Sequence, residues 1–160
     1  MTLYNFLLVF LFSTTTLFPS APPLEKAPDF EFVLADGSSK KLSDYKGKVL
    51  YISFWASWCG PCLINFEKYE ATRKELERMG VVLLNISVDK TEEAYKSSLI
   101  RQPIVGNNAW MSDQSSIQEA YELYAIPTYH IITKGGDFYF LGDGSGRDVF
   151  GEFRTLLEQN

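Results

Sequence analysis

Histidine is almost missing from this chain: His130 is the only one in 160 residues, and cysteine occurs only twice, at Cys59 and Cys62. A zinc site built mainly from Cys and His is therefore short of ligands. Two cysteines make at most one disulfide, which excludes a disulfide-stapled scaffold. Cations are also scarce, with 15 Lys and Arg against 20 Asp and Glu and a net charge of −5. A surface that neutralises phosphates needs clustered cations, so nucleic acid is not an expected partner. No apolar run reaches the ~20 residues of a membrane-crossing helix. What is present is ordinary for a folded domain: 46% hydrophobic and 22% charged residues, too apolar for disorder and long enough for one domain.

Charge is absent from Thr2 to Leu24, and Glu25 is the first charged side chain after the N-terminus. Residues 3–18 are rich in Leu, Phe and Val, the length of a signal-peptide core, and Pro19, Pro22 and Pro23 end any helix. Residues 1–24 read as a signal peptide or membrane anchor, and residues 25–160 as one domain.

Within the domain, Phe30, Phe32 and Leu34 alternate with Glu31 and Val33 as a short strand. Asp36-Gly37 is a turn, and Leu42–Lys48 reads as a helical turn capped by Ser43 and stopped at Gly47. Val49–Trp55 and Val81–Val88 are nearly continuous apolar runs, the pattern of strands buried on both faces. Gly60–Met79 has helical spacing, with Leu63, Phe66, Arg73 and Leu76 along one side and Gly80 as the stop. Thr91 caps a helix that begins with Glu92 and Glu93, favoured by its dipole. Asn107–Met111 is a minor strand, and Asp113 caps a helix over Gln114–Tyr124. Tyr129–Thr133 and Phe138–Leu141 form a hairpin around Lys134-Gly135-Gly136-Asp137, and Arg147–Glu158 is a closing helix. The order implies an α/β fold with a central mixed β-sheet and helices on both faces.

Both cysteines lie in Trp58-Cys59-Gly60-Pro61-Cys62, at the junction of a buried strand and a helix. Unpaired N–H groups and the helix dipole stabilise a thiolate there, so Cys59 should be a nucleophile at neutral pH. Cys62 follows one turn later on the same face, at a separation that fits a disulfide. Such a small ring contributes little loop entropy and can open without unfolding the protein. Pro61 sits in the first helical turn, where its missing N–H matters least, and Gly60 leaves room for a partner chain to approach.

The segment Phe54–Cys62 resembles the active-site segment of the thioredoxin superfamily. Ala27-Pro28-Asp29-Phe30, Leu42–Lys48 and Val88-Asp89 resemble its TlpA/ResA-like bacterial branch, and Ile126-Pro127-Thr128 resembles the cis-proline loop. The resemblance runs from Ala27 to the C-terminus. It implies a thioredoxin fold with an extra N-terminal strand and a central insertion. It also implies thiol–disulfide exchange without a cofactor or metal: Cys59 attacks a substrate disulfide and Cys62 resolves the mixed disulfide. Ile126 would pair its backbone with the substrate chain, with the Ile126–Pro127 bond cis. Trp55 and Trp58 would pack beside the site. The implied partners are a disulfide-containing protein substrate and a membrane thiol electron donor, with residues 3–18 as a tether and an extracytoplasmic location such as the periplasm.

The chain departs from the family at several places. Ser53 stands where thioredoxin has a buried acid and where the TlpA/ResA-like branch has Asn. Asp89 matches the place of a functional acid in that branch, and a helix-capping or loop role is its alternative. Leu63, Asn65 and Glu67 replace a basic residue, an acid and a proline, leaving no proline to kink the helix. Ala56 replaces the Thr that a peroxiredoxin-like peroxidase needs, the enzymatic rival; a non-catalytic binding module is the other. His130 reads as a structural histidine. Gly142–Gly146 reads as a loop without phosphate-binding spacing. The Asn85-Ile86-Ser87 glycosylation triplet lies in a buried strand.

Overall fold

The computed structural model describes residues 24–142 and 149–158. Residues 1–23 of the expected leader and residues 143–146 of the glycine-rich loop lie outside the described part. The elements in chain order are β1 (Glu31–Leu34), β2 (Ser39–Lys41), a 3-10 turn (Leu42–Tyr45), β3 (Leu50–Trp55), α1 (Gly60–Lys68) and α2 (Glu70–Arg78). They continue with β4 (Val82–Ser87), α3 (Glu92–Arg101), β5 (Asn107–Trp110), β6 (Thr128–Ile132), β7 (Phe138–Gly142) and α4 (Val149–Glu158).

Seven strands form one mixed sheet in the order β2-β1-β5-β4-β3-β6-β7. β3 pairs in parallel with β4 and antiparallel with β6, with Ile52 opposite both Leu84 and His130. The two apolar runs are thus neighbouring central strands, which explains why neither alternates with polar residues. The minor strand β5 joins β4 in parallel to β1 antiparallel, so it links the N-terminal hairpin to the rest. The sequence reading missed β2, which Asp36-Gly37 turns back onto β1 with Gly37 at φ +86°.

Successive side chains of β3 point to opposite faces. Tyr51, Ser53 and Trp55 meet helical side chains: Phe153 of α4, Arg73 of α2, and Phe66 of α1 with Tyr95 of α3. Leu50, Ile52 and Phe54 join a second core with Phe30, Ile117, Tyr121 and Phe138.

The expected helix over Gln114–Tyr124 is instead a run of irregular turns. Its backbone N–H groups reach back by unequal steps, three residues at Ile117 and Glu122, four at Tyr121 and five at Leu123. Ile117, Tyr121 and Leu123 are all buried. Residues 121 and 123 lie on opposite sides of a regular helix, so burying both requires a break, which Glu122 makes at φ +49°. Two smaller expectations are also corrected. The 3-10 turn is capped by the Asp44 carboxylate on the Lys41 N–H (3.0 Å), while the Ser43 N–H donates to Asp29. The single helix Gly60–Met79 is split at Tyr69 (φ −106°, ψ 18°) without a proline, because the Tyr69 N–H tightens onto both Asn65 and Glu67 carbonyls.

Gly106 is locked from two directions. It sits at φ +108°, and an added Cβ would stand 2.6 Å from the Leu83 Cβ in β4. Gly106→Ala is expected to cost about 2–3 kcal/mol of stability, since it combines left-handed strain with overpacking. Urea denaturation checks it; an unchanged midpoint would mean that the loop relaxes freely.

Candidate active site

Cys59 is the N-cap of α1, and its sulfur accepts the Cys62 N–H at 3.3 Å. Pro61 falls in the first turn, as its lack of a donor allows. Cys59 and Cys62 are joined by a disulfide with a Cα–Cα distance of 5.3 Å. Both are buried among Trp55, Ala56, Phe66, Tyr95 and Ile104. Trp58, beside Cys59, is 69% exposed, whereas Trp55 is buried. Those two tryptophans therefore do different things: one packs beneath the pair and the other flanks it on the surface.

The Ile126–Pro127 bond is cis, and Ile126 packs against the cluster that holds both cysteines. An open cleft of about 840 Å³ lies alongside, walled by Trp58, Val88, Asp89, Leu123, Tyr124 and Ile126. Tyr124 is 70% exposed at its rim. The cleft combines apolar walls with an opening to solvent, which suits an extended peptide.

Asp89 is buried, and its carboxylate is occupied. It accepts the Ser57 N–H (3.0 Å), the Ser57 hydroxyl (2.7 Å) and the Ser87 hydroxyl (2.7 Å). Its own carbonyl accepts the Trp110 indole N–H at 2.8 Å. Three donors converge on one carboxylate from the β4 end and from the loop two residues before Cys59. The Cys59 N–H donates to the Ala56 carbonyl at 3.0 Å and completes this tight turn. These bonds tie Asp89 to the loop that carries Cys59.

The helical stripe contains a residue whose part the sequence reading missed. Arg73 is buried, and its guanidinium donates to the Ser53 hydroxyl (3.5 Å), the Asn85 side-chain carbonyl and the Val105 backbone carbonyl (3.1 Å). The available signal was an arginine at an apolar position of the stripe. Asn85 also donates to Val105 and Asn108, so the glycosylation triplet is interior. Asn65, where the family has an acid, donates to the Tyr129 hydroxyl at 3.0 Å. Among the described residues no cluster of His, Cys, Asp and Glu could hold a metal ion, and no helix is long and apolar enough to cross a membrane.

His130 is buried within an aromatic box of Phe54, Tyr121 and Phe138. Burial pushes its pKa down to about 4, with the Tyr121 backbone pulling weakly the other way. It sits on the face of the sheet opposite Ser53, so it takes no part in the cysteine site.

The Redoxin family model matches residues 23–145 of the chain. Thioredoxin-like protein YneN of Bacillus subtilis is 30% identical over 118 residues, covering 70% of this chain and 66% of that protein. Thiol-disulfide oxidoreductase ResA of Geobacillus kaustophilus is also 30% identical over 118 residues, covering 69% and 63%. The chain thus spans less than two thirds of the length of either relative. A crystal structure from Chlorobium tepidum, provisionally described as a thiol:disulfide interchange protein DsbE, superposes with a TM-score of 0.73 at 25% identity, covering 86% of this chain and 99% of that one.

Proposed function

The chain belongs to the redoxin family and has the thioredoxin fold, and from that premise we propose that it is a thiol–disulfide oxidoreductase that reduces protein disulfides. The observation that carries the reading is the Cys59–Cys62 disulfide at the N-terminus of α1. A helix start stabilises the thiolate of Cys59, and the short ring lets the bond open without unfolding the sheet.

The substrate-reducing half of the cycle needs only these two residues as thiols and the substrate. The Cys59 thiolate attacks one sulfur of a substrate disulfide. A bond forms between Cys59 and that sulfur, the substrate bond breaks, and the leaving thiolate takes up a proton. Cys62 then gives up its proton and attacks the Cys59 sulfur. The Cys59–Cys62 bond forms, the second substrate sulfur leaves, and two electrons have passed to the substrate. Ile126, at the cleft edge, with its cis bond to Pro127, would hold the substrate chain beside Cys59, and Trp58 would flank it. The Gly60-Pro61 pair supports the reducing direction, since thioredoxin itself is poised at about −270 mV. A membrane thiol donor would return the electrons, and the uncharged run at residues 3–18 supports export or tethering outside the cytosol.

Reduction of insulin by protein primed with dithiothreitol tests the activity. Wild type should precipitate insulin B chain and Cys59→Ser should not; equal rates would sink the proposal. Equilibration with glutathione tests the direction, and a potential near −120 mV would reverse it.

Asp89 supports the site through the loop. Asp89→Ala leaves the half-buried Ser57 donors and the buried Ser87 hydroxyl without their acceptor, and each buried loss costs about 1–3 kcal/mol. We expect a lower melting temperature together with slower alkylation of reduced Cys59. A normal alkylation rate in a folded Asp89→Ala variant would remove Asp89 from the site.

A further inference from the structure

Among the described residues, Arg73 is the only Lys or Arg that is buried. None of the ion pairs between described residues includes it. Its hydrogen bonds go to neutral oxygens of Ser53, Asn85 and Val105, and its Nε has no partner. Two aromatic faces cover the guanidinium, Phe66 at 5.0 Å and Tyr51 at 5.7 Å. The titratable groups that face it are Tyr51 from β3, Tyr129 from β6 and Glu77 from its own helix. Burial pulls its pKa below the ordinary value, yet an arginine keeps its charge at physiological pH.

A buried cation without a counter-ion is expensive. Apolar residues of similar volume hold elements together as well or better, so tying α2 to the sheet does not by itself account for an arginine here. The cysteines supply a reason. Phe66, which lies against the guanidinium, belongs to the cluster that contains Cys59 and Cys62. Cys62 precedes Phe66 by one helical turn, at about 5–6 Å between Cβ atoms, so one ring separates the guanidinium from the turn that carries Cys62. Through poorly hydrated protein, a full charge about 10 Å away shifts a pKa by roughly one unit.

We propose that Arg73 is a positioning residue for the redox chemistry, its uncompensated charge holding the Cys62 thiolate that appears when the disulfide is reduced. Tyr95 of α3 packs in the same cluster with its hydroxyl buried and unpaired, and the one carboxylate that faces the guanidinium, Glu77, lies one turn further along α2, away from the cysteines. The proposal rests on Cys59 and Cys62 being the redox pair. It supplies what the missing acid at Ser53 leaves open: the resolving thiol is made easier to ionise by a cation beneath it.

The test is a thiol titration that needs no substrate. In Cys59→Ser, Cys62 is the single thiol, and its ionisation is followed by ultraviolet thiolate absorbance. Adding Arg73→Met or Arg73→Gln should raise the Cys62 pKa by about one unit, a tenfold loss of thiolate at a given pH. Arg73→Gln keeps hydrogen-bonding capacity toward Asn85 and Val105, so it separates charge from shape. Arg73→Lys should stay close to the parent. An unmoved pKa in either folded neutral variant overturns the proposal. So does a shift in Arg73→Lys as large as in Arg73→Met, or failure of both neutral variants to fold while Arg73→Lys folds. A shifted thiol in a protein that does not reduce insulin would leave this proposal standing and remove only the functional reading.

Discussion

Cys62→Ser is expected to accumulate as a mixed disulfide with its substrate, whereas Cys59→Ser forms none. In the wild-type protein the Cys62 sulfur is held one helical turn from Cys59, at a 5.3 Å Cα–Cα distance. Such placement makes the second exchange intramolecular, with an effective concentration far above any free thiol. Removing Cys62 leaves external thiol as the only resolving agent, so the intermediate outlives the assay. Removing Cys59 takes away the nucleophile at the helix start, and turnover should fall at least about a thousandfold. Non-reducing gels with a disulfide-containing peptide read both outcomes. A covalent adduct on Cys59→Ser, equal in amount to that on Cys62→Ser, would reverse the assigned roles.

The second large effect is on stability, between pH 6.5 and pH 4. In the folded state the His130 pKa is pushed down to about 4 by burial, while in the unfolded chain it is near 6.5. The folded protein therefore binds the proton more weakly. The contribution is complete above pH 6.5, is lost as the pH falls through that window, and levels off below about 4. A difference of this size amounts to about 3 kcal/mol. Lowered carboxylate pKa values at Asp29, held by Ser43, and at Asp137, held by Lys26, add losses at the acid end. His130→Leu isolates the histidine: its neighbours Phe54, Tyr121 and Phe138 are aromatic, and its ring nitrogens lack good hydrogen bonds. Urea unfolding from pH 7.5 to 4 should show a shallower slope in His130→Leu. Parallel slopes would mean that the ring gains a proton without penalty.

Much of the fold was readable because its signals are local. Val49–Trp55 and Val81–Val88 are apolar on both faces and became adjacent central strands. Thr91 followed by Glu92 and Glu93 announced α3, and the Thr91 hydroxyl accepts the Ala94 N–H. The errors occurred where packing outweighs local preference. Residues 114–124 contain good helix formers, but burying Ile117, Tyr121 and Leu123 together broke the helix at Glu122. The stretch Ser39–Lys41 is polar and exposed, and only its pairing with β1 makes it a strand.

The site divides along the same line. Sequence alone determined that two cysteines stand one turn apart at a helix start, at disulfide distance, because that placement needs only local geometry. It also marked Ile126-Pro127 through the resemblance of that segment to a cis-proline loop. Only the tertiary structure decided what surrounds the pair. Asp89 meets Ser57 across 32 residues, Arg73 meets Ser53 across 20, and His130 meets Phe54 edge-on from the neighbouring strand. Field strength depends on burial and on distance through space. Neither is written in the spacing of residues along the chain.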